Sequence, residues 1–157
     1  MERIVTTERG LARLRAEHDA LKNERRPAIV ADVARFRALG DLRENAEYHA
    51  AREELSMLDA KIAQLASKIA GAEVVPALAE GADTAMLGTR VTVQEEGAPS
   101  PEIFELVGSG EEDADRNWIL TTSPLGQAFL TRRAGEVAVF QGPRRTIRYR
   151  ILKVEPL

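Results

Sequence analysis

Cysteine is absent from the 157-residue sequence, which excludes disulfides, thiol nucleophiles and thiolate metal sites. Aromatic residues make up only 4%, too few for a surface that stacks successive bases. A basic excess is missing as well. The formal net charge is -3, with 22 Lys and Arg against 25 Asp and Glu, whereas duplex-binding modules draw most of their affinity from neutralising phosphates. Counted by region, residues 1–75 carry 13 basic and 13 acidic side chains and residues 76–157 carry 9 and 12. Neither part is a basic module. The opening MERIVTTERG holds no signal-like apolar run and no long apolar stretch follows, so a soluble, cytoplasmic protein without membrane contact is expected. What the chain does have is 44% hydrophobic and 30% charged residues, enough apolar side chain to fold.

The hydrophobic pattern changes period once. Thr6-Thr7-Glu8-Arg9 reads as a helix start with a hydroxyl cap. Leu11, Leu14, His18, Leu21 and Arg25 then keep a three-four rhythm, which slips before Ile29, Val33, Phe36 and Leu39. Pro27 sits in the slip, predicting a kink or irregularity near residues 24–27. Tyr48, Ala51, Leu55, Leu58, Ile62, Leu65, Ile69 and Ala72 form an unbroken seam of the coiled-coil kind. LGDLREN separates the two helices, and so short a link forces an antiparallel hairpin. Arms of roughly 30 residues would reach about 45 Å, a length that suggests reach, although dimerisation or plain spacing fit the same pattern.

Gly71, Pro76, Gly81 and Gly88 mark the boundary. Beyond it the period is two. Strands are predicted around residues 90–94, 102–106, 118–122, 136–140 and 146–154, with a bulge near Ile151. Ser123-Pro124 starts a short helix. The expected fold is α+β: an antiparallel two-helix coiled coil over 1–75, then a small antiparallel-sheet domain over 76–157. Glu111, Glu112, Asp113 and Asp115 read as a solvated turn, and Arg144, Arg145, Arg148 and Arg150 as a basic sheet surface that is solvated or meets an acidic partner.

Asp41 and Glu44, in the link, admit two readings. D-L-R-E before a helix is a capping box, which accounts for both acids structurally. Two carboxylates at a hairpin tip also suit a hard cation such as Mg²⁺, which takes oxygen ligands but needs more than two of them. Such a pair would complete a metal site belonging to another protein. Arg43, Asn45, Tyr48 and Arg52 are candidate tip support. Arg43 and Arg52 fit solvated positions as well as phosphate contacts, and Tyr48 fits the seam.

The stretch RRPAIVADVARFRALGDLRENAEYHAARE, residues 25–53, resembles the signature of the bacterial transcript cleavage factors of the GreA/GreB family, on the GreA side. The likeness continues through SPLGQAFL at 123–130 and ILKVEPL at 151–157. It implies that the coiled coil is joined to a globular domain similar to FK506-binding proteins. It further implies that this domain docks at the secondary channel of RNA polymerase while the hairpin enters, bringing Asp41 and Glu44 to the catalytic magnesium of a backtracked enzyme. There the acids would help hold a shared Mg²⁺ for hydrolysis of the extruded RNA 3′ segment. The factor itself would be no stand-alone enzyme and would hold no tight metal when free. The resemblance also implies a part in transcription elongation and DNA-binding, and some relatives occupy the channel and inhibit instead. SMLDAKI at 56–62 and Thr131-Arg132 depart from the usual pattern without touching the two acids.

Overall fold

Thr7 starts the first helix: its hydroxyl accepts from the Gly10 amide at 3.1 Å, satisfying a donor the helix cannot. The computed structural model describes every residue except 42, 43, 77, 79 and 80. Helix α1 (Glu8–Ala20) runs into a π-helical turn (Leu21–Arg25) and on into α2 (Arg26–Arg37), with Pro27 in the first turn of α2. This is the irregularity the slip predicted. A π turn takes one residue more than an α turn. The inward positions of the first arm therefore move from Leu14 and Leu21 to Ile29, Val33 and Phe36, where an unbroken heptad would have turned Ala28 inward. The same turn precedes Pro27, which has no amide proton to give the regular ladder.

The chain divides into two units, Met1–Ile4 with Ala12–Ala72, and Val5–Leu11 with Glu73–Leu157. In the first, α2 packs against α3 (Ala46–Ala70). Two ion pairs and a hydrogen bond follow the antiparallel sense: Glu17 meets Lys61 at 3.7 Å, Arg26 meets Asp59 at 2.7 Å, and Arg37 donates to the Tyr48 hydroxyl at 3.1 Å. The seam along α3 is as expected. Tyr48, Ala51 and Leu65 are buried, Leu55, Leu58, Ile62 and Ile69 half-buried, and the positions between mostly exposed. Leu39 departs from expectation: it is 69% exposed, because α2 has already ended at Arg37. Gly40 follows with φ +127°, a region that side chains avoid.

Strand β1 (Ile4–Thr6) pairs with β2 (Ala72–Val74). The larger sheet comprises β3 (Thr89–Glu95), β4 (Glu102–Val107), β5 (Trp118–Leu120), β6 (Val137–Gln141) and β7 (Thr146–Pro156), in the order β5-β4-β3-β7-β6. Val93 faces Ile151 while Thr92 faces Lys153, so Leu152 is the bulge residue behind the switch of faces in the last strand. Phe129 of α4 (Pro124–Phe129) lies at the centre of the core, 5.4 Å from the rings of both Phe104 and Tyr149. Ser123 caps α4, accepting from the Gly126 amide at 3.0 Å. Gly126 is obligatory: a Cβ there would stand 2.0 Å from the Leu120 carbonyl oxygen.

Two expectations fail in this unit. The sheet is not wholly antiparallel, since β5 runs parallel to β4, pairing Glu105 with Trp118 and Val107 with Leu120. A parallel neighbour requires a crossover, and residues 108–117 supply it. That segment is also no simple solvated turn. Glu111 is fully buried, its Oε1 accepting from Arg9 Nε at 2.5 Å and its Oε2 from the Gly108 amide at 3.3 Å. Burial of a carboxylate demands such partners.

Candidate functional site at the helical tip

The carboxamide of Asn45, not the carboxylate of Asp41, caps α3. Asn45 Oδ1 accepts from the Tyr48 amide at 3.0 Å, with Asn45 in a non-helical conformation (φ -89°, ψ 88°). The capping-box expectation for Asp41 and Glu44 is thereby corrected. The helix begins after both acids, at Ala46, and its N-cap is Asn45. D-L-R-E matches the box by residue type, yet the seam starts only at Tyr48, and a cap is placed just before the first inward residue. That signal pointed to Asn45.

Asp41 and Glu44 are both exposed. Together with Leu39, Asn45, Ala46 and Glu47 they line a shallow depression of about 350 Å³. Arg43 lies outside the described residues. Glu47, in the first turn of α3, adds a third carboxylate to the lining. No group of three or more His, Cys, Asp or Glu side chains that could hold a metal occurs among the described residues. Oxygen donors of this kind are what Mg²⁺ takes, and a site with so few protein ligands needs the rest from elsewhere.

The tip is braced from both sides. Asn45 Nδ2 donates to the Phe36 carbonyl at 2.7 Å, so one side chain joins the start of α3 to the end of α2. The same carbonyl accepts from the Leu39 amide at 3.2 Å. Tyr48 packs in the seam as expected, and its hydroxyl accepts from Arg37 Nη2 at 3.1 Å. The guanidinium groups of Arg37 and Arg52 stand 5.6 and 5.7 Å from its ring centroid. The bond from Arg37 holds the Tyr48 phenol below its ordinary pKa, with lesser help from Arg52. Arg52 is thus an aromatic-stacked cation rather than a merely solvated one. Arg37 was not singled out from the sequence, because nothing in its local pattern announces a bond to a residue on the facing helix.

The family model described as "Transcription elongation factor, N-terminal" matches residues 4–74, and that described as "Transcription elongation factor, GreA/GreB, C-term" matches residues 80–156. The chain is 36% identical over 154 residues to a transcription elongation factor GreA from Hyphomonas neptunium, covering 98% of each. It is 37% identical over 155 residues to its counterpart from Bradyrhizobium diazoefficiens, covering 99% of each. Among solved structures, the GreA factor homolog 1 protein of Thermus thermophilus is 21% identical, with a TM-score of 0.45, over 98% of this chain and 99% of that one. No helix among the described residues is long and apolar enough to cross a membrane. Matched from end to end by both family models and by full-length relatives, this chain belongs to the GreA/GreB family of transcription elongation factors.

Proposed function

We propose that this chain is an RNA polymerase accessory factor that inserts its helical tip through the secondary channel and stimulates Mg²⁺-dependent hydrolysis of backtracked RNA. Residues 1–75 act as the inserted hairpin. Residues 76–157 act as the docking domain, whose kinship to FK506-binding proteins is part of the same reading. Family membership supports the partner. The observation that carries the role of the acids is the capping of α3 by Asn45, which leaves Asp41 and Glu44 exposed and outside the helix.

In this reading Asp41 and Glu44 hold a magnesium ion jointly with the polymerase. Such an ion, when bound, supplies Lewis acidity that activates water and offsets charge on the phosphate. The factor's own work is to bring two anionic side chains to the RNA 3′ segment and to hold them in place. Arg43, Arg52 and Tyr48 support the tip. The polymerase owns the reaction, so the factor acts as a stimulator and not as a nuclease.

A second reading keeps the family's partner and drops the chemistry: a regulator that occupies the channel without adding to cleavage. Family membership supports it more directly, since it asks nothing of Asp41 and Glu44. Stalled elongation complexes with labelled RNA separate the two. Stimulation gives faster magnesium-dependent shortening and renewed elongation on adding the protein. Bound factor with unchanged or slower shortening establishes the regulator instead.

A further inference from the structure

Asn45 does two jobs with one side chain. Its oxygen caps α3 at the Tyr48 amide, and its nitrogen donates to the Phe36 carbonyl at 2.7 Å. The second bond closes the segment between Phe36 and Asn45 into a loop whose ends are tied, and both Asp41 and Glu44 lie on that loop. Capping alone does not require it. Serine caps a helix about as well as asparagine but has one polar atom, unable to accept from the Tyr48 amide and also span to the facing helix. The Phe36 carbonyl is already engaged by the Leu39 amide at 3.2 Å, so the carboxamide is a second donor to an oxygen in the last turn of α2. Pinning loop ends narrows the conformations available to the residues between them.

We infer that Asn45 is a positioning residue: its bridge from α3 to the Phe36 carbonyl sets the loop that presents Asp41 and Glu44. The inference rests on the cleavage reading for its consequence and on geometry alone for the tie. Groups that act on a reacting centre gain rate from being held before the reaction, and a loosened carboxylate pair loses that gain. Asn45 itself touches no reacting atom.

The variants Asn45→Ser and Asn45→Ala, made in the full chain, separate the bridge from the cap. Three quantities are read: thermal unfolding, the ¹⁵N relaxation of the Leu39, Gly40, Asp41 and Glu44 amides, and RNA cleavage in backtracked complexes at limiting magnesium with saturating factor. Asn45→Ser is expected to unfold slightly below the original, by the one inter-helix hydrogen bond it loses, and to bind polymerase equally. Its four loop amides become more mobile, and cleavage falls about five- to tenfold, the loss of one good hydrogen bond's worth of order. The deficit narrows as magnesium is raised. Asn45→Ala shows the same deficit and a further lowered unfolding temperature. Loop amides and cleavage unchanged in Asn45→Ser overturn the inference and leave Asn45 as a cap only. Should the original protein fail to stimulate cleavage, the functional reading falls, while the relaxation of the loop amides still decides whether the bridge positions them.

Discussion

Arg9 Nε and Glu111 Oε1 meet at 2.5 Å although 102 positions separate them in the chain. Arg9 also approaches Glu105 at 3.7 Å and lies 4.4 Å over the Trp118 ring. One side chain thus ties Val5–Leu11 to the sheet and to its crossover. Glu111 is buried whereas the Arg9 side chain is 45% exposed, so the carboxylate bears most of the desolvation.

Removing the guanidinium should therefore cost more than neutralising the acid. Arg9→Met keeps apolar cover over Trp118 and is expected to destabilise the sheet unit by about 2–3 kcal/mol, less than for a fully buried pair because Arg9 is partly solvated. Glu111→Gln is expected to cost about 1–2 kcal/mol. Trp118 is the sole tryptophan, so denaturant midpoints followed by its fluorescence report on this unit.

The π turn makes a prediction about phase. Ile29 is 1% exposed and its neighbour Val30 40% exposed. Ile29→Ala should cost about 2–4 kcal/mol by emptying a filled site, and Val30→Ala under about 0.5 kcal/mol. Unfolding of the two variants followed by helical circular dichroism checks the order. Equal costs would mean that the helices meet in a different register.

The two tyrosines should titrate on opposite sides of the ordinary phenol value. Arg37 lowers Tyr48, whereas burial, reinforced by Glu102 and Glu95, raises Tyr149. Tyrosinate absorbance should rise in two steps, the first lost in Tyr48→Phe. Arg37→Met should move that first step upward and leave the second in place. The linkage follows from the sign. A lowered folded-state pKa at Tyr48 adds stability as pH climbs through that value toward the unfolded one, so the stabilising share of Arg37 is full only in strongly alkaline solution.

Much of this architecture was legible in the sequence, and the failures share a cause. Periods of three-four and of two are local, so α3, the slip at Pro27, the five main strands and the bulge at Leu152 could all be read from neighbours along the chain. Contacts across the chain could not. Glu111 reads as one acid of an exposed run because its partner Arg9 lies at the other end, and β5 reads as antiparallel because strand direction depends on where residues 108–117 return. At the tip, D-L-R-E satisfied a local rule that Asn45 satisfied too. Only the position of the first inward side chain, Tyr48, decides between them. The acids were found by residue type and by family likeness. That Asn45 caps α3 in place of Asp41 came from the structure.

The most direct measurement is RNA cleavage in backtracked polymerase complexes with the original protein and with Asp41→Asn and Glu44→Gln, each at saturating occupancy. Both substitutions keep size and shape, remove the charge and exchange one acceptor oxygen for an NH₂ donor. The expected result is strong stimulation by the original and at least about a hundredfold loss in each variant, with helicity and polymerase affinity unchanged. Equal stimulation by the neutral variants would contradict the role given to the two acids.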